Sequence, residues 1–161
     1  MDMGTELQII NLMEPADYQA GATDMDSVHM GKLHKLKIVI QLGAITGEDP
    51  VFKLYAGATA GTKTTEQPFS YRRTTIDWKT ASADVFGART AVAIGGTGLT
   101  LNPVANYDHR MIEIDVMSDS MPDGKPWLTV ETDDGSASVL LMSAIGIGYP
   151  RYAGDTHTTA V

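Results

Sequence analysis

With 161 residues, 43% of them apolar, the chain is the size of one domain able to bury a core of its own. Its 20 acidic residues against 12 basic ones give a formal net charge of −8, and no Lys/Arg cluster offsets it, which argues against direct binding to a nucleic-acid backbone. The lack of cysteine removes disulfides, thiolate zinc sites and thiol nucleophiles.

No apolar run approaches the roughly 18–20 residues that span a bilayer, and "MDMGTELQ" has neither the basic start nor the apolar centre of a signal peptide. The expectation is a protein with no membrane contact that is not exported by that route. The first segment, "ELQIINLMEP", alternates over Leu7, Ile9 and Leu12 until Pro15, and reads as a strand or extended arm over residues 1–14. "PADYQAGATDMDSVHMG" is rich in small and turn-forming residues and reads as a loop. "KLHKLKIVIQLGAITGEDPVFKLYAG" alternates through Leu36, Ile38 and Ile40, breaks at "GEDP" and resumes at Phe52 and Leu54, the pattern of a hairpin. "GATAGTKTTEQ" offers nothing long and apolar to bury, so a mobile surface loop is expected there.

"FSYRRTTI" resumes strand-forming composition, and a short helical turn is one reading of the run from Trp78 to Val85. The glycines at 95, 96 and 98 fit a turn or bulge between apolar segments better than a phosphate loop, since neither the Walker nor the dinucleotide spacing is present. "RMIEIDVM" sets Ile112, Ile114 and Val116 on one face and Met111, Glu113 and Asp115 on the other, as in a strand with one wet side. The turn "PDGKP", the strand "WLTVET", the turn "DDGS" and the apolar "ASVLLMSAIGIG" follow. Residues 149–161, "YPRYAGDTHTTAV", fade into small polar residues and read as a tail beyond a domain at 15–148.

Short strands parted by turns about every 8–15 residues, with no long helix, point to an all-β sandwich, a jelly roll being the leading form. The expected core is Ile38, Ile40, Leu42, Leu54, Ile112, Ile114, Val116, Leu128, Val130, Leu140 and Ile145. Catalytic patterns do not emerge: His29, His34, His109 and His157 have no metal-ligand spacing and read as surface or partly buried residues. Asp115, Asp119, Asp123 and Asp133-Asp134 lack the EF-hand pattern and belong with ordinary Asp-Gly turns. No catalytic residue, metal ligand or cofactor is expected. Trp78 and Trp127 read as core residues rather than a carbohydrate platform, and Arg72, Arg73, Arg110 and Arg151 as solvated charges able to meet carboxylates of a neighbouring copy.

Taken in order, "KLKIVIQLGAITG", "VFKLYAGATAGT", "FSYRRTT", "GLTL", "RMIEIDVM", "PDGKPWLTV" and the closing "YPRY" resemble a family of small tailed-bacteriophage proteins encoded among head genes, similar to jelly-roll capsid decoration, or cement, proteins. The resemblance spans roughly residues 28–152. It implies a virion protein on the capsid surface, assembled in the host cytoplasm, whose partners are the major capsid protein at capsomer junctions and further copies of itself, a trimer being favoured. A head-tail or tail component and a carbohydrate-binding β-sandwich are the alternatives. The two ends supply the candidate interface: Leu7, Ile9 and Ile10 in one, Tyr149, Arg151 and Tyr152 in the other, since aromatic and Arg side chains dominate binding energy at interfaces.

Overall fold

The computed structural model describes residues 7–19, 21–47, 49–79, 85–133 and 139–151. Their strands are β1 (Gln8–Asp17), β2 (Thr23–Asp24), β3 (Val28–His29), β4 (Leu33–Thr46), β5 (Val51–Gly57), β6 (Thr65–Gln67), β7 (Phe69–Arg73), β8 (Thr90–Val92), β9 (Leu99–Thr100), β10 (Met111–Met117), β11 (Trp127–Asp133) and β12 (Val139–Pro150). Every pairing is antiparallel. One sheet has the order β1-β12-β4-β10-β7-β8 and the other β2-β11-β5-β6, with β3 also on β11 and β9 also on β5. The protein is an all-β sandwich, and no helix among the described residues is long and apolar enough to cross a membrane.

Period-two burial builds the core. Leu36, Ile38, Ile40 and Leu42 of β4 and Ile112, Ile114 and Val116 of β10 face Phe52 and Leu54 of β5 and Leu128 and Val130 of β11, all buried. Along β4 the inward series 33, 36, 38, 40, 42, 45 contains two steps of three residues. At both, the register with β12 shifts, so each added residue bulges and the strand turns its next apolar side chain back to the interior.

The expected hairpin at "GEDP" is not one. β4 pairs with β10 and β12, whereas β5 pairs with β6, β9 and β11, so this connection crosses from one sheet to the other. Both strands alternate, but alternation says which face is buried and nothing about which strand lies alongside. Pro15 does not end the first strand either: β1 continues through it to Asp17 as an edge strand, where a missing N–H costs no ladder bond. Within the expected loop at residues 57–67, Thr65–Gln67 forms β6 on β5, and Gly61 N–H donates to the Ser27 hydroxyl at 2.8 Å. The reading of a helical turn at 78–85 falls partly on 80–84, outside the described residues. Gly98, at φ 80°, stands where a Cβ would lie 2.6 Å from the Phe52 carbonyl oxygen, in keeping with a glycine turn that brings β9 onto β5.

Ile145 is the one expected core residue that the structure moves outside, at 41% exposure. On β12 the inward positions are Leu140, Met142, Ala144, Gly146 and Gly148, which leaves Leu141, Ile145 and Ile147 on the outer side. The glycines are inward because neighbouring side chains fill their places: a Cβ on Gly146 would lie 3.0 Å from Leu36 Cδ1, and one on Gly148 3.0 Å from Leu33 Cδ2. Ile114→Ala should therefore cost about 2–5 kcal/mol in urea unfolding. Ile145→Ala should stay within about 0.5 kcal/mol of wild type, the usual range for surface substitutions.

Candidate functional site

The outer face of the six-stranded sheet is arranged in rows fixed by register. One row runs Ile9, Ile147, Lys37, Asp115, Ser70, and the next Asn11, Ile145, Val39, Glu113, Arg72. Tyr149 stands opposite Lys35 at one end, and Leu141 lies beside Gly43 at the other. Across the width of the sheet the side chains divide into two zones.

Over β1, β12 and the near side of β4 the zone is apolar: Ile9 (74% exposed), Val39, Leu141 (41%), Ile145, Ile147 and Tyr149 (38%). A solvent-facing sheet normally alternates toward polar residues on this side, and here isoleucine, leucine and tyrosine take most of these positions, with Ser143 and Asn11 among them.

Over β4, β10 and β7 the zone is charged. Glu113 accepts hydrogen bonds from Arg72 Nε and Nη2 at 2.8 and 2.9 Å, from Arg89 Nη2 at 2.9 Å and from Lys37 Nζ at 2.8 Å. Asp115 pairs with Lys35 at 3.0 Å and with Arg89, with Lys37 at 3.8 Å. The Arg72 guanidinium also lies over the Phe86 ring at 4.8 Å. Four cations thus share two carboxylates, a local excess of positive charge on a chain of net −8. The expected wet carboxylate at 113 is in fact 5% exposed, roofed by side chains from three other segments. Burial alone would raise its pKa; the hydrogen bonds and charges of Arg72 and Lys37 outweigh that and bring the group from its ordinary 4.5 down to about 2.

The sequence-based interface residues separate accordingly. Ile9 and Tyr149 lie in the apolar stripe, and Leu7 is half-buried just before β1. Ile10 is buried, its Cβ 3.5 Å from where a side chain on Gly146 would begin, so its side chain belongs to the core. Arg151 is engaged within its own chain: its N–H donates to the Lys32 carbonyl, its Nε to the Leu33 carbonyl at 3.0 Å and its Nη2 to Ser118 Oγ at 2.8 Å. Residues 149–151 thus finish β12 and lock it to the start of β4. Tyr152 lies outside the described residues. Ile145 was assigned to the core because an apolar residue on a strand is by default taken to point inward, and Val39, Leu141 and Ile147 were not singled out.

The other arginines are also held rather than solvated. Arg73 donates to the Asn106 carbonyl and stacks over Tyr107 at 5.0 Å, and Arg110 donates to the Thr74 carbonyl at 3.2 Å. Neither tryptophan is in the core. Trp127 is half-buried with His29 edge-on at 4.9 Å, and Trp78 is 39% exposed, its indole N–H donating to the Leu42 carbonyl at 3.2 Å. Behind Trp78, at 5.2 Å and edge-on, sits His109, which is buried rather than on the surface. Trp78 walls a groove that Gln41, Gly43, Leu141 and Ser143 also line. Among the described residues no group of three or more His, Asp or Glu side chains is placed to hold a metal ion.

No protein-family model matches the chain, and no curated protein matches it.

The depressed Glu113 pKa fixes a direction for acid stability. The stabilisation is fully present above the unfolded-state value near 4.5 and is lost as pH falls toward 2. Urea unfolding followed from pH 7 to pH 2 should show a loss of about 3 kcal/mol from this group within that window. Glu113→Gln should be less stable than wild type at pH 7 and should flatten the same window.

Proposed function

We propose that this protein is a bacteriophage capsid decoration protein: a structural, non-catalytic component that binds the outer surface of the head at capsomer junctions and stabilises the shell. The jelly-roll winding typical of that class, location on the virion and binding to the major capsid protein are parts of the same proposal. The observation that carries it is the two-zone outer face, in which Ile9, Leu141, Ile145 and Tyr149 are exposed and Val39 and Ile147 half-buried beside a hydrogen-bonded, cation-rich cluster. An apolar strip with a charged border is the composition of a protein contact surface, with the strip supplying affinity and the border register. Many copies, each with a modest contact, would stabilise a shell through multivalency.

Mixing the purified protein with heads of the encoding phage that lack it should give several hundred bound copies per particle and a raised temperature of head disruption; about a dozen or fewer copies would indicate a connector instead. Ile145→Lys should fold with an unchanged melting transition and lose binding by at least about tenfold, because it desolvates a charge in the contact. Binding by Ile145→Lys at the wild-type level would remove this face from the contact.

A second reading, a carbohydrate-binding β-sandwich, is favoured by one observation: Trp78 is exposed and its indole is fixed in orientation at the wall of the groove holding Gln41 and Ser143. A glycan screen decides it. Binding that is lost in Trp78→Ala supports it, and a blank screen eliminates it.

A further inference from the structure

We infer that Leu7–Asn11 forms an antiparallel strand pair with the same segment of a second copy, about a two-fold axis at Ile9. This inference does not depend on the shell reading.

Sheet edges are templates for pairing, and proteins normally blunt them with short strands, bulges, proline or charge. Among the described residues, three of the four sheet edges are made of short strands: β8 of three residues, β6 of three with the two-residue β9 beside it, and β2 and β3 of two each. The fourth, β1, is blunted only in its second half. There the register with β12 breaks between Asn11 and Met13 and again between Met13 and Ala16, Pro15 removes a donor, and Glu14 and Asp17 add charge. The Leu12 carbonyl is already taken by the Asp26 N–H at 2.9 Å. The first half has none of these devices. It runs in unbroken register from Gln8 opposite Gly148 to Asn11 opposite Ile145, its sequence Leu-Gln-Ile-Ile-Asn is uncharged, and Ile9 stands 74% exposed on its outer face.

A second copy fits this edge by its own chemistry. With the axis at Ile9, Leu7 faces Asn11 and Gln8 faces Ile10, so no charge meets a like charge. The two Ile9 side chains meet across Cα atoms about 4.5–5.5 Å apart. The pair extends the apolar row from Ile147 and Ile9 of one copy into Ile9 and Ile147 of the other. Charge also selects the edge over the face. Stacking the outer faces would bring two cation-rich clusters together, whereas in the edge pair the two β4 strands lie about 24 Å apart, several Debye lengths in physiological salt. The symmetry is two-fold, unlike the trimer implied by the phage resemblance. A five-residue edge buries less than the roughly 1,200–2,000 Å² of a standard interface, so the free dimer is weak and gains from any surface that gathers copies.

The absence of cysteine makes the test clean. Single-cysteine variants Ile9→Cys, Asn11→Cys and, as an exposed control far from β1, Ile94→Cys are oxidised in glutathione buffer at millimolar protein. Ile9→Cys should form a disulfide-linked dimer at least about tenfold faster than Ile94→Cys, since the two-fold sets its Cβ atoms within bridging range. Asn11→Cys alone should be no faster than the control, while a mixture of Leu7→Cys with Asn11→Cys should cross-link to each other. In sedimentation at millimolar concentration the wild type should be dimeric, and Ile9→Lys, with the melting transition of wild type, monomeric. Equal cross-linking of Ile9→Cys and Ile94→Cys overturns the inference, as does an Ile9→Lys protein that sediments like wild type.

Discussion

The apolar zone of the outer face depends on which side of β12 faces in. Leu140, Met142 and Ala144 set that parity against β4, and the strand keeps it through Gly146 and Gly148 because Leu33, Leu36, Ile10 and Leu12 lean into the space that those residues leave. A strand can carry only one inward set, so once the small residues point inward the isoleucines between them point out. The interior loses nothing by this, since neighbours supply the missing volume, and the surface gains a strip of branched side chains locked to a rigid backbone. That strip is a consequence of core packing as much as of anything that binds there.

The same sheet shows how a polar zone can be rigid without being buried in apolar surroundings. Glu113 sits at the centre of β10 with Lys37 on one neighbouring strand, Arg72 on the other and Arg89 reaching over from the segment before β8. Its remaining lone pairs are used and its partners keep part of their length in water, so the carboxylate remains ionised where burial alone would favour the protonated form. Long cationic side chains hydrogen-bonded in this way set a defined pattern of charge beside the apolar strip.

Sequence pattern recovered what is local. The strands through 36–42, 112–116 and 128–130 were legible because one face of each is buried and its period is two. What pattern could not carry is pairing between distant segments. The "GEDP" turn reads as a hairpin and is a crossing between sheets; Glu113 reads as wet because its roof comes from residues 37, 72 and 89; Ile145 reads as core because the fillers of Gly146 are Leu36, Ile10 and Leu12. Of the apolar outer strip, the ends Ile9 and Tyr149 were picked out as exposed candidates, whereas Ile145 in its middle was read as core by the rule that apolar strand residues point inward. A pair of isoleucines alternating with glycines in "AIGIG" was the available clue, because two faces of such a strand cannot both be core.

The pairing of β1 with β12 also has a temporal meaning. Gln8 lies opposite Gly148, so β1 finds its neighbour only after all the strands between them and β12 itself have been made. Closing so long a loop is slow, and until it happens the edge of β12 and the side chains of Ile10 and Leu12 have no cover. Until β12 is made the outer sheet is unfinished, and the rows of its outer face come into being together with that strand. Any surface that recognises those rows will ignore the growing chain and take up only the completed fold.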